Sequence, residues 1–472
     1  MWREFKRKYI GDRAFYRYIV FLALPMIAQN AITSFVSFLD NIMVGRIGTE
    51  QMSGVAIVNQ LIFVFNICIF GAVSGAGIFG TQFYGKGDFE GQKYAFRFKL
   101  YAGLFVSTVT ILLFTFFGPE LISLYLSDSG EVGDIGLALE FGLDYMKVMA
   151  FGLIPFAITQ VYTNTIKETG HTLIPMISGI VAMVTNLILD IILIFGVESV
   201  PVIGAIPALG VKGAAMATVI ARFAECFIAV LWTHVHKEKN PYIVGAYSGF
   251  KIPWHILNKI FVTGTPLMIN EMLWSLGIAT IAQCYAVRGL EVVAANNIAS
   301  TITNLFNVVY IQLGSCIAIV VGQRLGAGEL DEARDVSRKM ILFSVFCCSI
   351  MAFIMMAVGR FFPEIYDTEE SIKALARTFI FISAAIMPVC SFCHCCYFTL
   401  RSGGKTLITF VFDSGFMWCL VIPVATILSK YTTLAIGVVF ALVQSIEIIK
   451  SIVGFFMVKS GIWARNIVEE KL

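Results

Sequence analysis

The sequence predicts an all-α polytopic membrane protein, with twelve transmembrane helices in two pseudo-symmetric six-helix lobes. Three observations carry this. Of 472 residues 58% are hydrophobic and 14% charged, with mean hydropathy +0.82, against roughly 45–50% apolar and 25% charged in soluble domains. Apolar segments long enough to cross a hydrocarbon core of about 30 Å recur twelve times. The second half of the chain also repeats the first at a fixed offset.

The spans, separated by Gly, Pro or charge clusters, fall at about 16–43, 53–83, 94–118, 137–164, 172–196 and 211–234. Six more fall at about 258–286, 293–323, 336–361, 374–400, 405–429 and 433–458. The basic lead "MWREFKRKYIGDRAFYRY" runs into an apolar stretch too long for a signal peptide and without a small-residue cleavage site, so it reads as a retained cytoplasmic segment. Lys and Arg concentrate in the loops on that side: Arg3, Lys6, Lys93, Arg97, Lys99, Lys237, Arg334 and Arg401 are examples. The opposite loops hold few, such as Arg46, Arg288 and Lys430, and "GPELISLYLSDSGEVGDIGLALE" is acidic. Both termini are therefore expected to be cytoplasmic, as an even number of spans requires, in a multi-pass protein of the plasma (inner) membrane.

At an offset of 241 residues Pro25 falls on Pro266, Ser34 on Ser275, Gly48 on Gly289 and Glu50 on Glu291. The strongest piece is "QFYGKGD" at 82–88 against "QRLGAGE" at 323–329. The expected division is an N-terminal lobe at 1–234, a cytoplasmic linker at 235–257 and a C-terminal lobe at 258–472. Two such lobes place a cavity between bundles, with transport by rocking one against the other.

Other classes find no support. "GAGIFG" at 75–80 is a literal G-x-G-x-x-G, but it lies inside an apolar span rather than between a strand and a helix. "CSFCH" at 390–394 matches a haem-attachment pattern inside an apolar helix, where buried thiols are the expected reading. "LRSGGKT" lacks the first Gly of a P-loop, since Thr399 stands there. No enzyme, no cofactor and no nucleic-acid partner is expected. The expected partners are the lipid bilayer and small organic substrates, and the chain is expected to act as a monomer.

Four stretches resemble the multidrug and toxic compound extrusion (MATE) family of secondary transporters: "LALPMIAQNAITSFVSFLDNIMVGRIG", "QFYGKGD", "NLILDIILIFG" and "PALGVKGAAMATVIAR". The resemblance implies an antiporter that exports organic, often cationic, compounds in exchange for H⁺ or Na⁺. The rival expectation is a flippase of the related lipid-linked sugar exporters, which requires a cavity rich in Arg and Lys.

Carboxylates inside a bilayer cost at least ~2.5 kcal/mol on insertion scales, so they face the protein interior and read as functional. Asp40 in the first span and Asp190 in the fifth are such groups. Asn186 and Asp190 lie four apart, on one helical face. With Thr218 these residues offer oxygen ligands to Na⁺, or a carboxylate whose proton affinity rises on burial and mutual repulsion. The family resemblance implies that Asp40, Asn186, Asp190 and Thr218 come together as the cation-coupling site. Pro25, fifteen residues before Asp40, is the expected helix hinge. Gln29, Asn30, Glu271 and Asp413 are candidates for the substrate cavity. Arg222 with Glu225, and Glu447 with Lys450, read as neutralising pairs three apart. One branch of the family carries an acid in the tenth span where this chain has Cys390, so coupling is expected in the N-terminal lobe. Ile281 stands opposite Asp40 in the repeat, which makes the halves unequal there.

Overall fold

A computed structural model describes residues 8–45, 48–126, 135–200 and 204–469. The first half runs α1 (Arg13–Gly45), α2 (Thr49–Lys86), α3 (Phe89–Leu126), α4 (Ile135–Phe151), α5 (Leu153–Glu168), α6 (Leu173–Phe195) and α7 (Val211–Val235). The second half runs α8 (Trp254–Ala286), α9 (Leu290–Gly326), α10 (Leu330–Gly359), α11 (Glu370–Ser402), α12 (Thr406–Phe410), α13 (Ile422–Tyr431) and α14 (Ile436–Ser460).

Among the described residues ten helical stretches are long and apolar enough to cross a membrane, and α4 with α5, bent by 46°, make an eleventh span. The 33-residue α8 stands where the seventh span is expected. The bend in the fourth span has a local cause: Gly152 separates the helices, and Pro155 has no N–H to return to the Phe151 carbonyl. Large side chains such as Phe105, Phe116, Phe227 and Phe353 stand exposed on the helices, as lipid-facing residues do.

Two features depart from a plain helical reading. Between α6 and α7 the chain forms a two-stranded antiparallel ribbon, β1 (Val197–Val200) with β2 (Gly204–Ile206). The eleventh span is not uniformly α-helical: Val411–Gly415 and Met417–Val421 form wider π-type turns between α12 and α13. Pro423 contributes, because the Cys419 carbonyl has no α-helical donor there.

The helices group into two compact units. The N-terminal unit comprises Ala28–Gly80 and Phe89–Asn258, and the C-terminal unit comprises Met1–Ile27, Thr81–Asp88 and Lys259–Leu472. The helix α1 changes unit after Ile27, two residues beyond the buried Pro25, and remains one continuous helix there. The N-terminal core is built around Ile69, Phe96, Met146, Met149, Tyr162 and Tyr242. The C-terminal unit has two clusters, one around Leu22, Cys316, Val321, Leu400 and Trp463, the other around Ala295, Phe379, Val439 and Phe440. With lipid as solvent, close packing and hydrogen bonds hold such helices together more than water exclusion does.

The stretch 235–257 is packed rather than loose. A turn at Pro241–Ile243 buries Tyr242, and the Arg97 guanidinium donates to the carbonyls of Ala246 (2.8 Å), Gly245 (2.9 Å) and Lys251 (3.0 Å).

The repeated motifs meet in the C-terminal unit. A Cβ on Gly85 would fall on the Gln323 carbonyl oxygen, and one on Gly326 would fall on that of Gln82. Each motif thus needs its glycine because the other's backbone occupies the space. Gln82 completes the contact: its Nε2 donates to the carbonyls of Ser402 (2.9 Å) and Arg465 (3.3 Å), and its Oε1 accepts the Ile467 N–H (3.0 Å). Asn466 Nδ2 donates to the Gly326 carbonyl at 3.1 Å. We expect Gly85→Val and Gly326→Val each to prevent accumulation of monodisperse protein. Gly87→Ala, at φ +74° with open space around it, should cost only about 1 kcal/mol. Size-exclusion profiles of the three variants check this.

Candidate functional site

In the N-terminal unit α6 and α7 approach at backbone distance. A Cβ on Gly213 would meet the Leu193 carbonyl, and Leu209 N–H donates to that carbonyl at 2.9 Å. The two helices run antiparallel from this turn. Counting five residues back along α6 and five forward along α7, at about 1.5 Å each, brings Thr218 level with Ile188. Thr218 therefore lies between the levels of Asn186 and Asp190. Both of these are buried, 4% and 1% exposed. The Asn186 amide is the informative group: Oδ1 and Nδ2 are both buried and, among the described residues, neither has a hydrogen-bond partner. Such atoms are rare in folded proteins, because each costs about 1–3 kcal/mol. Thr218 Oγ1 donates to the Ala214 carbonyl at 3.1 Å, which leaves its lone pairs to accept or coordinate.

Asp40 lies on α1, and its side chain is outside the described residues. The helix can still be registered. Gln29 packs on Gly179 of α6, with its Cγ 3.4 Å from where a Cβ would stand. Asp40 follows Gln29 by the same eleven residues that separate Asp190 from Gly179. Gln29 Oε1 is itself buried with no hydrogen-bond partner among the described residues. Asn30 is half-buried beside it.

In the C-terminal unit the two candidate acids, Glu271 and Asp413, join one polar network. Tyr397 Oη donates to Glu271 Oε1 at 3.2 Å, and the Arg401 guanidinium stands 3.7 Å from the same oxygen. Asn270 Nδ2 donates to Tyr397 Oη (3.3 Å) and to Asp413 Oδ2 (3.1 Å), while its Oδ1 accepts from Ser414 Oγ (2.7 Å). Lys450 Nζ donates to Asp413 Oδ1 at 2.8 Å. Sequence reasoning found the acids and missed Asn270, Tyr397 and Arg401. The repeat carried a signal for Asn270, because it falls on Gln29, another amide within an apolar span.

Of the two expected intrahelical pairs, one is present and one is not. Lys450 lies 3.9 Å from Glu447, as expected, and makes a shorter contact of 2.8 Å to Asp413 on the eleventh span. Arg222 donates to the Gly152 carbonyl (3.4 Å) and covers the Phe156 ring (4.9 Å) rather than pairing with Glu225. The broken fourth span supplies both partners.

Lys99, expected in a basic loop, is buried within α3. Its Nζ lies 2.5 Å from Glu168 Oε1 and 3.1 Å from Thr165 Oγ1. Gly77 and Gly80 of "GAGIFG" make the room, since a Cβ on Gly77 would come within 2.8 Å of Glu168 Oε1.

This arrangement, a repeated bundle of membrane-spanning helices with carboxylates and unsatisfied amides held inside it, defines a multi-pass membrane transporter. The particular family follows from comparison. The MatE profile matches residues 25–192 and 266–427, beginning at Pro25 and Pro266, the pair that the internal repeat superimposes. The chain belongs to the MatE family, and its members are transporters rather than enzymes. It is 24% identical over 455 residues to "Probable multidrug resistance protein NorM" of Thermotoga maritima, covering 95% of this chain and 93% of the relative. It is 24% identical over 427 residues to "Probable multidrug resistance protein YoeA" of Bacillus subtilis, covering 88% and 87%. Its fold is similar to that of a crystallised Vibrio cholerae MATE transporter, with TM-score 0.83, 16% identity and coverage of 97% and 99%. A multidrug resistance MATE transporter in an outward-facing conformation gives 0.82, with 18% identity and coverage of 96% and 97%. The chain has the fold of these structures, twelve transmembrane helices in two lobes.

Proposed function

We propose that the chain is a secondary active antiporter that exports organic cations or amphipathic compounds in exchange for H⁺ or Na⁺ by alternating access. Relatives named as probable multidrug resistance proteins support drug extrusion. The observation that carries the coupling is the buried, unsatisfied Asn186 amide one helical turn from the buried Asp190. A group left without partners at that cost is suited to a ligand that comes and goes. Na⁺ would take the oxygens of Asp40, Asn186, Asp190 and Thr218 as ligands, and a proton would sit on one of the two carboxylates with the Asn186 amide beside it. The equal spacing of Asp40 and Asp190 from the Gln29–Gly179 contact supports their meeting at one level.

Pro25 is the proposed hinge, just ahead of the point where α1 changes unit. The functional lobes are residues 1–234 and 258–472, joined by 235–257. Both termini face the cytoplasm of a plasma membrane, and one chain suffices for transport. Gln29, Asn30, Glu271 and Asp413 are the proposed substrate-cavity residues. A flippase for phosphate-linked lipids would need free cations inside. Arg401 and Lys450, the interior cations of the C-terminal unit's network, stand beside Glu271 and Asp413 respectively.

The test is ethidium movement in proteoliposomes under an imposed pH gradient or an imposed Na⁺ gradient. One of them should drive ethidium against its own gradient. Ethidium that only equilibrates, under both, contradicts antiport.

A further inference from the structure

The C-terminal unit lines a partly open cavity of about 470 Å³ that includes none of the proposed coupling residues. Drug-sized ligands occupy pockets of ≈ 300–1,000 Å³. One wall is a polar stripe on α9: Asn296, Ser300, Thr303, Asn304, Asn307 and Tyr310. Spacings of three and four put these side chains on one face of a membrane helix, and polar residues in a span face an interior surface when they have work there. The facing wall on α14 adds Gln444 and Glu447, and α11 adds His394, whose ring packs on Tyr310 at 4.7 Å between centroids. Trp274, Tyr285 and Phe440 supply aromatic surface.

The charges lining or adjoining this space do not cancel. Lys450 lies 2.8 Å from Asp413 and that pair is neutral, while Glu447 stands 3.9 Å from the same ammonium. Among the described residues no hydrogen bond reaches the Glu447 carboxylate, which retains 24% side-chain exposure. Asn270 donates a hydrogen bond to the other oxygen of Asp413, Oδ2, and so orients that carboxylate with Oδ1 toward Lys450. With Asp413 counted, which adjoins the cavity through Lys450 without lining it, one negative charge is in surplus beside a row of amides and hydroxyls and aromatic faces able to meet a cation at short range.

We propose that this cavity within the C-terminal unit is a binding site for an organic cation bearing hydrogen-bonding groups, with Glu447 as its counter-ion. The site is separate from Asp40, Asn186, Asp190 and Thr218, so substrate and coupling cation bind in different halves of the chain. This rests on the reading of the chain as an exporter of organic cations.

The test uses full-length protein in nanodiscs and ethidium as probe, read by its fluorescence on binding. Wild-type protein should bind saturably. Glu447→Gln should weaken binding about tenfold or more, the loss expected of a partly buried charge partner, while Glu447→Asp should retain most of the affinity. Ser300→Phe, which fills the cavity and leaves every charge in place, should weaken binding similarly. Melting curves identify any variant that fails to fold, and Ser300→Phe then decides the matter alone. Unchanged affinity in folded Glu447→Gln or Ser300→Phe overturns the proposal, as does a wild type that binds no ethidium. Ethidium export from proteoliposomes separates the two readings: export that persists beside such a result removes the cavity assignment only, whereas its absence removes the export reading as well.

Discussion

Asp190→Asn is expected to abolish gradient-driven export while leaving the protein folded. Each net positive charge that an exchange cycle moves inward down a membrane potential supplies about 2.3 kcal/mol per 100 mV, enough for a substrate gradient near fiftyfold. Without a titratable or fully charged Asp190 the coupling cation has no site, and the gradient should relax to unity. The substitution is nearly isosteric, and Asp190 is only 1% exposed on a helix held by the close Gly213 contact. The fold should therefore tolerate it, with a melting temperature at or above that of wild type, because a buried charge is removed. Accumulation of ethidium against its gradient, scored beside a melting curve, checks both halves of this expectation. Asn186→Leu should likewise lose coupling and gain stability, since it replaces two unsatisfied polar atoms with apolar surface.

Lys99→Met is expected to have the opposite signature, a large loss of stability. Lys99 and Glu168 are 0% and 5% exposed at their side chains. Removing the ammonium leaves Glu168 buried beside Gly77 and Gly80 without its cation. Breaking one partner of such a pair costs about 3–5 kcal/mol, whereas replacing both by apolar groups is often neutral. The double variant Lys99→Met/Glu168→Leu should therefore recover most of the lost melting temperature. A double variant as unstable as Lys99→Met would show that the pair does more than neutralise itself.

Hydropathy located the helices well because a span must be apolar over its whole length, so its ends stand where charge and glycine collect. The bent fourth span is a case in point: its outer limits were legible, and the 46° break at Gly152 was not. The repeat was legible as the motifs at 82–88 and 323–329. Their mutual contact was not, because a periodic match does not say that each glycine faces the other motif's carbonyl. Lys99 was misplaced for a related reason. A cation a few residues inside a span reads as a snorkelling loop charge, and its partner lies 69 residues away on another helix. Asn270 and Tyr397 carry no charge and therefore raised no alarm, although they connect Glu271 to Asp413. The π-type turns around Asp413 leave almost no trace in sequence beyond Pro423. Of the four proposed coupling residues, Asn186 and Asp190 stand out as polar groups four apart on one face of an apolar helix, and the family resemblance supplies their role. Thr218 alone would pass for an ordinary helical threonine, bonded to the carbonyl four residues back.

In the proposed mechanism coupling is asymmetric and resides in the N-terminal half, around Asp190 rather than Glu271. The most direct measurement is cation counterflow triggered by substrate: ethidium is added to proteoliposomes and the resulting H⁺ or Na⁺ movement is recorded for Asp190→Asn and Glu271→Gln side by side. Counterflow should vanish in Asp190→Asn and persist, even if slowed, in Glu271→Gln. Counterflow that survives in Asp190→Asn and vanishes in Glu271→Gln would place the coupling site in the other half of the chain.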